Sequence, residues 1–153
     1  MGAVSVPVNT AAKGYFLERF IGHSDCEAIM MEAAYLPMLA EIIDNLPLLK
    51  KIILFDAMPD VAHIVPPLRQ LEFLQFDDLL HGASDLVDDA APSDLAQILY
   101  TSGTTGPSKG NMFLHSSILN WAFQLAHRTH AGPDDIYLSV FPLFHGGAWL
   151  NAT

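Results

Sequence analysis

Cysteine occurs once in this chain, at Cys26. No disulfide can close within it, which excludes the small secreted scaffolds that depend on such staples and fits a reducing compartment. Basic residues are scarce too: seven Lys and Arg face seventeen Asp and Glu, for a formal charge of −10. A surface of that sign repels phosphodiester backbones and anionic lipid, which argues against nucleic acid and membrane surfaces as partners. Long apolar runs are missing. The longest, Ala28 to Ile43, is broken by Glu32, Pro37 and Glu41 and is too interrupted to span a bilayer. No basic region precedes an apolar one at the N-terminus, where the first lysine is Lys13, so no secretory or transit signal is legible. The chain reads as cytoplasmic, without membrane insertion.

What is present is apolar material for one sizeable core, 51% of 153 residues. Strand-like and helix-like pieces alternate. Ala3 to Val8 reads as a strand. Ala12 to Ile21 reads as a helix with Phe16, Leu17, Phe20 and Ile21 at helical spacing, stopped by Gly22 and the polar His23, Ser24 and Asp25. Ala28 to Met31 is a short strand. Leu36 to Leu46 places Leu36, Leu39, Ile43 and Leu46 on one helical face before Pro47, and Ile52 to Phe55 is a third strand. From Asp56 to Ser93, Pro59, Pro66, Pro67 and Pro92 predict a long connection with one short helical or extended piece around Leu68 to Leu80. Its acidic cluster, Asp85, Asp88 and Asp89, reads as a solvated loop rather than a metal site.

Leu95 to Tyr100 is the fourth strand. Ser116 or Ser117 is placed to cap a helix reaching Thr129, with Ile118, Ala122, Leu125 and Ala126 inward. Ile136 to Phe141 reads as a fifth strand, and another helix is expected from Gly146 onward. Without hairpin signals, this alternation predicts an α/β fold with a mainly parallel sheet and flanking helices. Ligands of such sheets sit beyond the carboxyl ends of the strands. Neither terminus is set apart from core-like sequence by a cap or linker. Residues 1–153 are therefore expected to be an incomplete portion of a larger domain, truncated at both ends.

The run from Tyr100 to Gly110, YTSGTTGPSKG, is the strongest chemical signal. After Tyr100 it supplies five Ser/Thr hydroxyls, three glycines and one lysine, directly following an apolar strand. Glycine lets a backbone turn its N–H groups toward a ligand, hydroxyls add rotatable donors, and Lys109 adds a mobile positive charge. That is the chemistry of a polyphosphate cradle. Lys109 is the only Lys or Arg between Arg69 and Arg128, so a scarce cation is spent inside this loop. A solvated Gly/Ser/Thr linker is the plainer reading. A Walker A loop is excluded, because Gly106 is followed by Pro107 and not by lysine and a hydroxyl residue.

A second constellation, VFPLFHGGAW from Val140 to Trp149, sets His145 and the bulky Phe141, Phe144 and Trp149 beside Gly146 and Gly147. A strand end with a glycine turn is the plain reading. An esterase oxyanion loop would need a G-x-S-x-G nucleophile elbow, which the chain lacks. The other histidines carry less. His127 and His130 are three apart on one predicted helix, with no third ligand arranged to complete a metal site, and His23, His63 and His81 follow no pattern. Cys26 reads as a small buried apolar residue rather than a reactive thiol.

The run YTSGTTGPSKG resembles the phosphate-binding loop of the AMP-forming adenylating enzymes, the superfamily of acyl-CoA synthetases, luciferases and peptide-synthetase adenylation domains. Pro142, Leu143, Phe144 and His145 are similar, letter for letter, to the PLFH acyl-pocket motif of many acyl-CoA synthetases. They follow the loop by about thirty residues, across one helix and one strand as in that family. The resemblance implies that Thr101, Ser102, Gly103, Thr104, Thr105 and Gly106 wrap the β- and γ-phosphates of ATP while Lys109 neutralises charge. It also implies that Phe144, His145 and Trp149 line the acyl pocket, with Lys109 and His145 as catalytic residues and His115 in a positioning role. The family's amino-acid adenylation domains generally carry an aspartate in this region; none stands here, which favours an unaminated carboxylic acid.

ATP, Mg2+ and CoA are the implied reactants. The Mg2+ ligand, the adenine and ribose contacts and the C-terminal domain are expected outside these 153 residues, and the isolated chain is expected to be inert. One departure is Asn111, where the family commonly has valine after Gly110. Two other readings stay open: a non-catalytic truncated product or binding module, and an adenylation domain that loads an amino or aryl acid onto a carrier protein.

Overall fold

Strands and helices are interspersed from Tyr15 onward in the computed structural model, which describes residues 3–60, 64–80, 90–101, 107–132, 134–136, 138, 140–142 and 144–146. The chain divides into two units, one made of Met1–Asn9 with Val87–Thr153 and the other of Thr10–Leu86.

The 10–86 unit runs α1 (Tyr15–His23), β1 (Ala28–Met31), α2 (Leu36–Ala40), β2 (Lys51–Leu54), β3 (Glu72–Gln75) and α3 (Phe76–Leu80). Its strands form one parallel sheet in the order β1-β2-β3, with Met30, Ile53 and Leu74 in register across it. The central strand has the apolar composition that burial on both sides demands, and Ile52 and Leu54 are fully buried, as are Leu39 and Leu68. Each such side chain contributes about 1.5–3 kcal/mol through the area it removes from water. At the carboxyl ends of the strands, Gln75 Nε2 donates to the carbonyls of Leu54 (3.3 Å) and Asp56 (2.8 Å), and Asp56 Oδ1 accepts from the Ala33 N–H (2.8 Å). The place where a parallel sheet usually receives a ligand is here tied together by the protein's own polar groups.

Several boundaries differ from the sequence expectation. α1 starts at Tyr15 because Gly14, at φ 50°, turns the chain into it, and it continues through Gly22. It stops where Ser24 Oγ donates to the Phe20 and Ile21 carbonyls and Asp25 takes φ 52°. The single helix expected over Leu36–Leu46 breaks after Ala40 and resumes as a 3-10 turn at Ile43–Asn45. Pro47 keeps Leu46 out of the helical region (φ −118°, ψ 63°), which tightens the last turn. The four expected inward residues Leu36, Leu39, Ile43 and Leu46 are nevertheless all buried. The helical or extended piece expected around Leu68 to Leu80 is both: β3 followed directly by α3.

The other unit contains β4 (Leu95–Tyr100), β5 (Gly110–Leu114) and α4 (His115–Thr129). β4 and β5 are antiparallel, so the glycine-rich run connects a hairpin that the sequence reading did not anticipate. The strand expected at Ala3–Val8 reduces to one parallel bridge: Ser5 N–H donates to the Ala96 carbonyl (3.0 Å) and Ile98 N–H to the Ser5 carbonyl (2.9 Å). The next ladder donor would be residue 7, a proline without an N–H, and pairing ends there. The fifth strand expected at Ile136–Phe141 is not formed by its described residues, and Tyr137 and Ser139 lie outside them. The helix expected from Gly146 onward is described only at Gly146, which is helical, and its remainder and the acidic residues Asp85, Asp88 and Asp89 lie outside the described residues.

Among the described residues, only Leu99 and Ile118 of this unit are buried apolar side chains, whereas Leu119, Trp121 and Phe123 of α4 are more than half exposed. Ala122 and Leu125 are half-buried as expected of an inward face, but Ala126 is exposed. Gln97 is fully buried in β4, and among the described residues neither atom of its amide has a hydrogen-bond partner. An unpaired buried amide costs about 1–3 kcal/mol. Gln97→Leu is therefore expected to raise stability by about 1 kcal/mol in urea denaturation. A loss of that size would show that the amide is paired in solution.

Candidate functional site

The neck of the glycine-rich run is built by the last rungs of the hairpin. Tyr100 faces Gly110 in register, and the Thr101 N–H donates to the Lys109 carbonyl at 3.1 Å. Thr101 and Lys109, the two ends of the candidate cradle, are thus held together by one backbone bond. Ser102, Gly103, Thr104, Thr105 and Gly106 lie outside the described residues. On the return side Pro107 is exposed, Ser108 is buried at 8% exposure, and Lys109 is exposed. An exposed ammonium on a flexible stem can swing toward an anion while its backbone stays fixed.

In many phosphate loops the glycine run passes directly into a helix whose N-terminal N–H groups face the anion. Here β5 intervenes. α4 begins at His115, with Leu114 rather than Ser116 or Ser117 at the N-cap and no side-chain capping bond. Backbone carbonyls from the turn before β4 take that role instead: His115 N–H donates to Asp94 (3.1 Å) and Ser116 N–H to Pro92 (2.9 Å). That end of the helix is therefore engaged by the protein's own carbonyls. The carbonyls of Asp94 and Pro92 were not legible as caps, because the partners are twenty or so positions apart in sequence.

His145 sits in a turn, its N–H donating to the Pro142 carbonyl at 2.8 Å, and its ring stacks on Phe141 with centroids 5.4 Å apart and planes at 20°. The His145 side chain is exposed and Phe144 is half-buried; Leu143 and Trp149 lie outside the described residues. Lys109 and His145 belong to the same unit but engage separate partners, Thr101 and the Pro142–Phe141 turn. His127 stacks on Phe123 (6.5 Å, 1°), while His130 is a left-handed cap at φ 54°, so the two histidines do not continue one helical face. Among the described residues no group of three or more His, Cys, Asp or Glu is placed to hold a metal ion. None of the described helices is long and apolar enough to cross a membrane. Cys26 is half-buried, with Ser24 Oγ 3.1 Å from its sulfur, and is a less buried residue than its composition suggests.

The family of AMP-binding enzymes matches the sequence over residues 1–153. The chain belongs to that family. Among curated relatives, this AMP-binding enzyme chain is 30% identical over 138 residues to the medium-chain-fatty-acid–CoA ligase of Ectopseudomonas oleovorans, a match covering 84% of the chain and 24% of the ligase. The chain spans about a quarter of the length of the curated relatives it matches. Among solved structures, ATP-bound MatB from Rhodopseudomonas palustris is 27% identical with a TM-score of 0.69, over 97% of this chain and 27% of that one. The anthranilate CoA ligase AuaEII in complex with anthranoyl-AMP is 25% identical with a TM-score of 0.65, over 81% of this chain and 22% of that one. The named relatives are CoA ligases, and the mixed α/β architecture with a parallel three-stranded sheet is that of adenylate-forming enzymes.

Proposed function

We propose that this chain carries the phosphate-binding portion of an ATP-dependent, AMP-forming acid–CoA ligase whose remaining segments lie beyond these 153 residues. A carboxylate oxygen of the acid attacks the α-phosphorus of ATP, and the bond to the β-phosphate breaks. Acyl-adenylate and pyrophosphate result. The thiolate of CoA then attacks the acyl carbon, and AMP leaves. The first step brings two anions together and must stabilise the departing pyrophosphate. Thr101, Ser102, Gly103, Thr104, Thr105 and Gly106 supply donors to the β- and γ-phosphates, and Lys109 supplies the charge. Phe144, His145 and Trp149 line the acid's side of the site, with His145 near the carboxylate.

The observation that carries this reading is the hydroxyl- and glycine-rich run held at its neck by the Thr101–Lys109 bond, with an exposed lysine at its exit. The family resemblance implies that the ligands of Mg2+ lie outside residues 1–153. The resemblance also puts the adenine and ribose contacts outside these residues, so the isolated chain is expected to give no acid-dependent exchange of pyrophosphate into ATP. The full-length protein is expected to give it with a simple carboxylic acid. Exchange by the isolated chain would show that the site is complete within residues 1–153.

An unaminated acid is favoured because the segment Val140–Trp149 offers aromatic rings and an imidazole and no carboxylate to hold an amine. The likeness to the anthranilate ligase supports an aryl acid as a second reading. A panel of aliphatic and aryl acids tested on the full-length protein separates the two.

A further inference from the structure

In an antiparallel ladder, hydrogen-bonded rungs alternate with open ones, and facing side chains approach most closely on the open rungs. The Thr101–Lys109 bond makes the adjoining Tyr100–Gly110 rung an open one. Gly110 leaves a gap there, and the ring of Tyr100 occupies it. A Cβ on Gly110 would lie 3.4 Å from Tyr100 Cζ, 3.5 Å from Tyr100 Cε1 and only 2.9 Å from Ile98 Cγ2. Ile98 and Tyr100 are two residues apart in β4, so both project on the face where the gap lies.

Gly14 is the positive-φ glycine of the described residues, so Gly110 serves space rather than an unusual backbone angle. Even alanine at 110 would have to displace the β-branched side chain of Ile98, and its methyl would lie in contact with the ring. The rung beyond has little else to protect it, since Thr101 and Lys109 are both exposed. A solvent-exposed bond at the mouth of a hairpin opens readily unless something apolar covers it. An aromatic ring laid over a cross-strand glycine does so.

We infer that Tyr100 is a positioning residue for the phosphate loop: its ring, seated on Gly110, fixes the spacing of Thr101 and Lys109 at which the loop receives ATP. This rests on the loop being the ATP cradle and adds a residue to it. The ring does not touch the reacting atoms; it acts through the Thr101–Lys109 rung.

The test has two readouts. Amide hydrogen exchange on the 153-residue chain reports the rung itself: Tyr100→Leu is expected to speed exchange at the Thr101 amide about 10-fold, leaving the Ile98 amide, bonded to Ser5, unchanged. Tyr100→Phe keeps the ring and is expected to behave as the parent sequence. In the full-length protein, pyrophosphate exchange with Tyr100→Leu is expected to show a KM for ATP raised roughly 10-fold with kcat within about 3-fold. Gly110→Ala should do the same at a lower melting temperature.

Unchanged Thr101 exchange in Tyr100→Leu overturns the inference, and so does a faster exchange with an unmoved KM. Lys109→Ala serves as the separate control: if it too leaves pyrophosphate exchange untouched, the cradle reading falls and the positioning role with it, while Thr101 exchange still reports whether the ring seals the rung.

Discussion

Lys109→Ala in the full-length protein is expected to slow acid-dependent pyrophosphate exchange by about 10²-fold, the size of effect seen when one donor to developing transition-state charge is removed. The argument starts from scarcity. With a net charge of −10 and no other Lys or Arg from residue 70 to residue 127, this segment of chain has one cation to offer a tetra-anionic substrate. The structure adds that its backbone is fixed by the Thr101 N–H while its side chain remains exposed, and that two of the amides opening α4 are already bonded to Asp94 and Pro92. Within residues 70–127 no other Lys or Arg can replace the lost charge. Because pyrophosphate gains charge as it leaves, the loss should fall mainly on kcat and less on KM for ATP, whereas Tyr100→Leu should show the opposite split. Lys109→Arg keeps the charge but changes its shape and reach, so partial activity is expected. Unchanged exchange kinetics in Lys109→Ala would remove this residue from the mechanism.

Leu39→Ala is expected to lower the unfolding free energy by about 2–5 kcal/mol, the range for removing a large aliphatic side chain from a packed interior. Leu39 has no exposed surface and closes the short helix α2 against the core of the 10–86 unit, together with Leu36, Ile43 and Leu46. The break after Ala40 and the proline-tightened 3-10 turn leave this segment little freedom to slide into a cavity. Urea denaturation followed by far-ultraviolet circular dichroism measures the change. A loss below about 1 kcal/mol would mean that the segment collapses around the smaller residue.

How much of this was legible in the residues depended on what each element must bury. Ala28–Met31, Ile52–Phe55 and Leu95–Tyr100 announce themselves because they are compact apolar runs, and all three are strands within a residue of the expected limits. The short helical or extended piece expected around Leu68 to Leu80 was located but its type left open, because Glu72 and Gln75 are polar and the strand β3 lies at a sheet edge, where a four-residue run need satisfy only one neighbour. β5 escaped because it opens on Gly110 and Asn111, which read as the end of the glycine loop; the apolar Met112–Leu114 was the signal that it was a strand. Ala3–Val8 was overestimated because its β-branched residues outweighed Pro7. At the site, composition alone singled out the hydroxyl run and Lys109. The seat of Tyr100 on Gly110 is a cross-strand relation, invisible until the hairpin register is known.

The bare apolar side chains of the loop-bearing unit have a practical corollary. Leu119, Trp121 and Phe123 stand in solvent on α4, and Ile136, Leu138 and Val140 are still more exposed. Such surface invites self-association. What opposes clumping is the chain's surplus of carboxylates, which keeps neighbouring molecules apart. Acidifying the buffer neutralises those groups and leaves the greasy surface unopposed, so the isolated 153-residue chain is expected to aggregate as the pH falls through the carboxylate range.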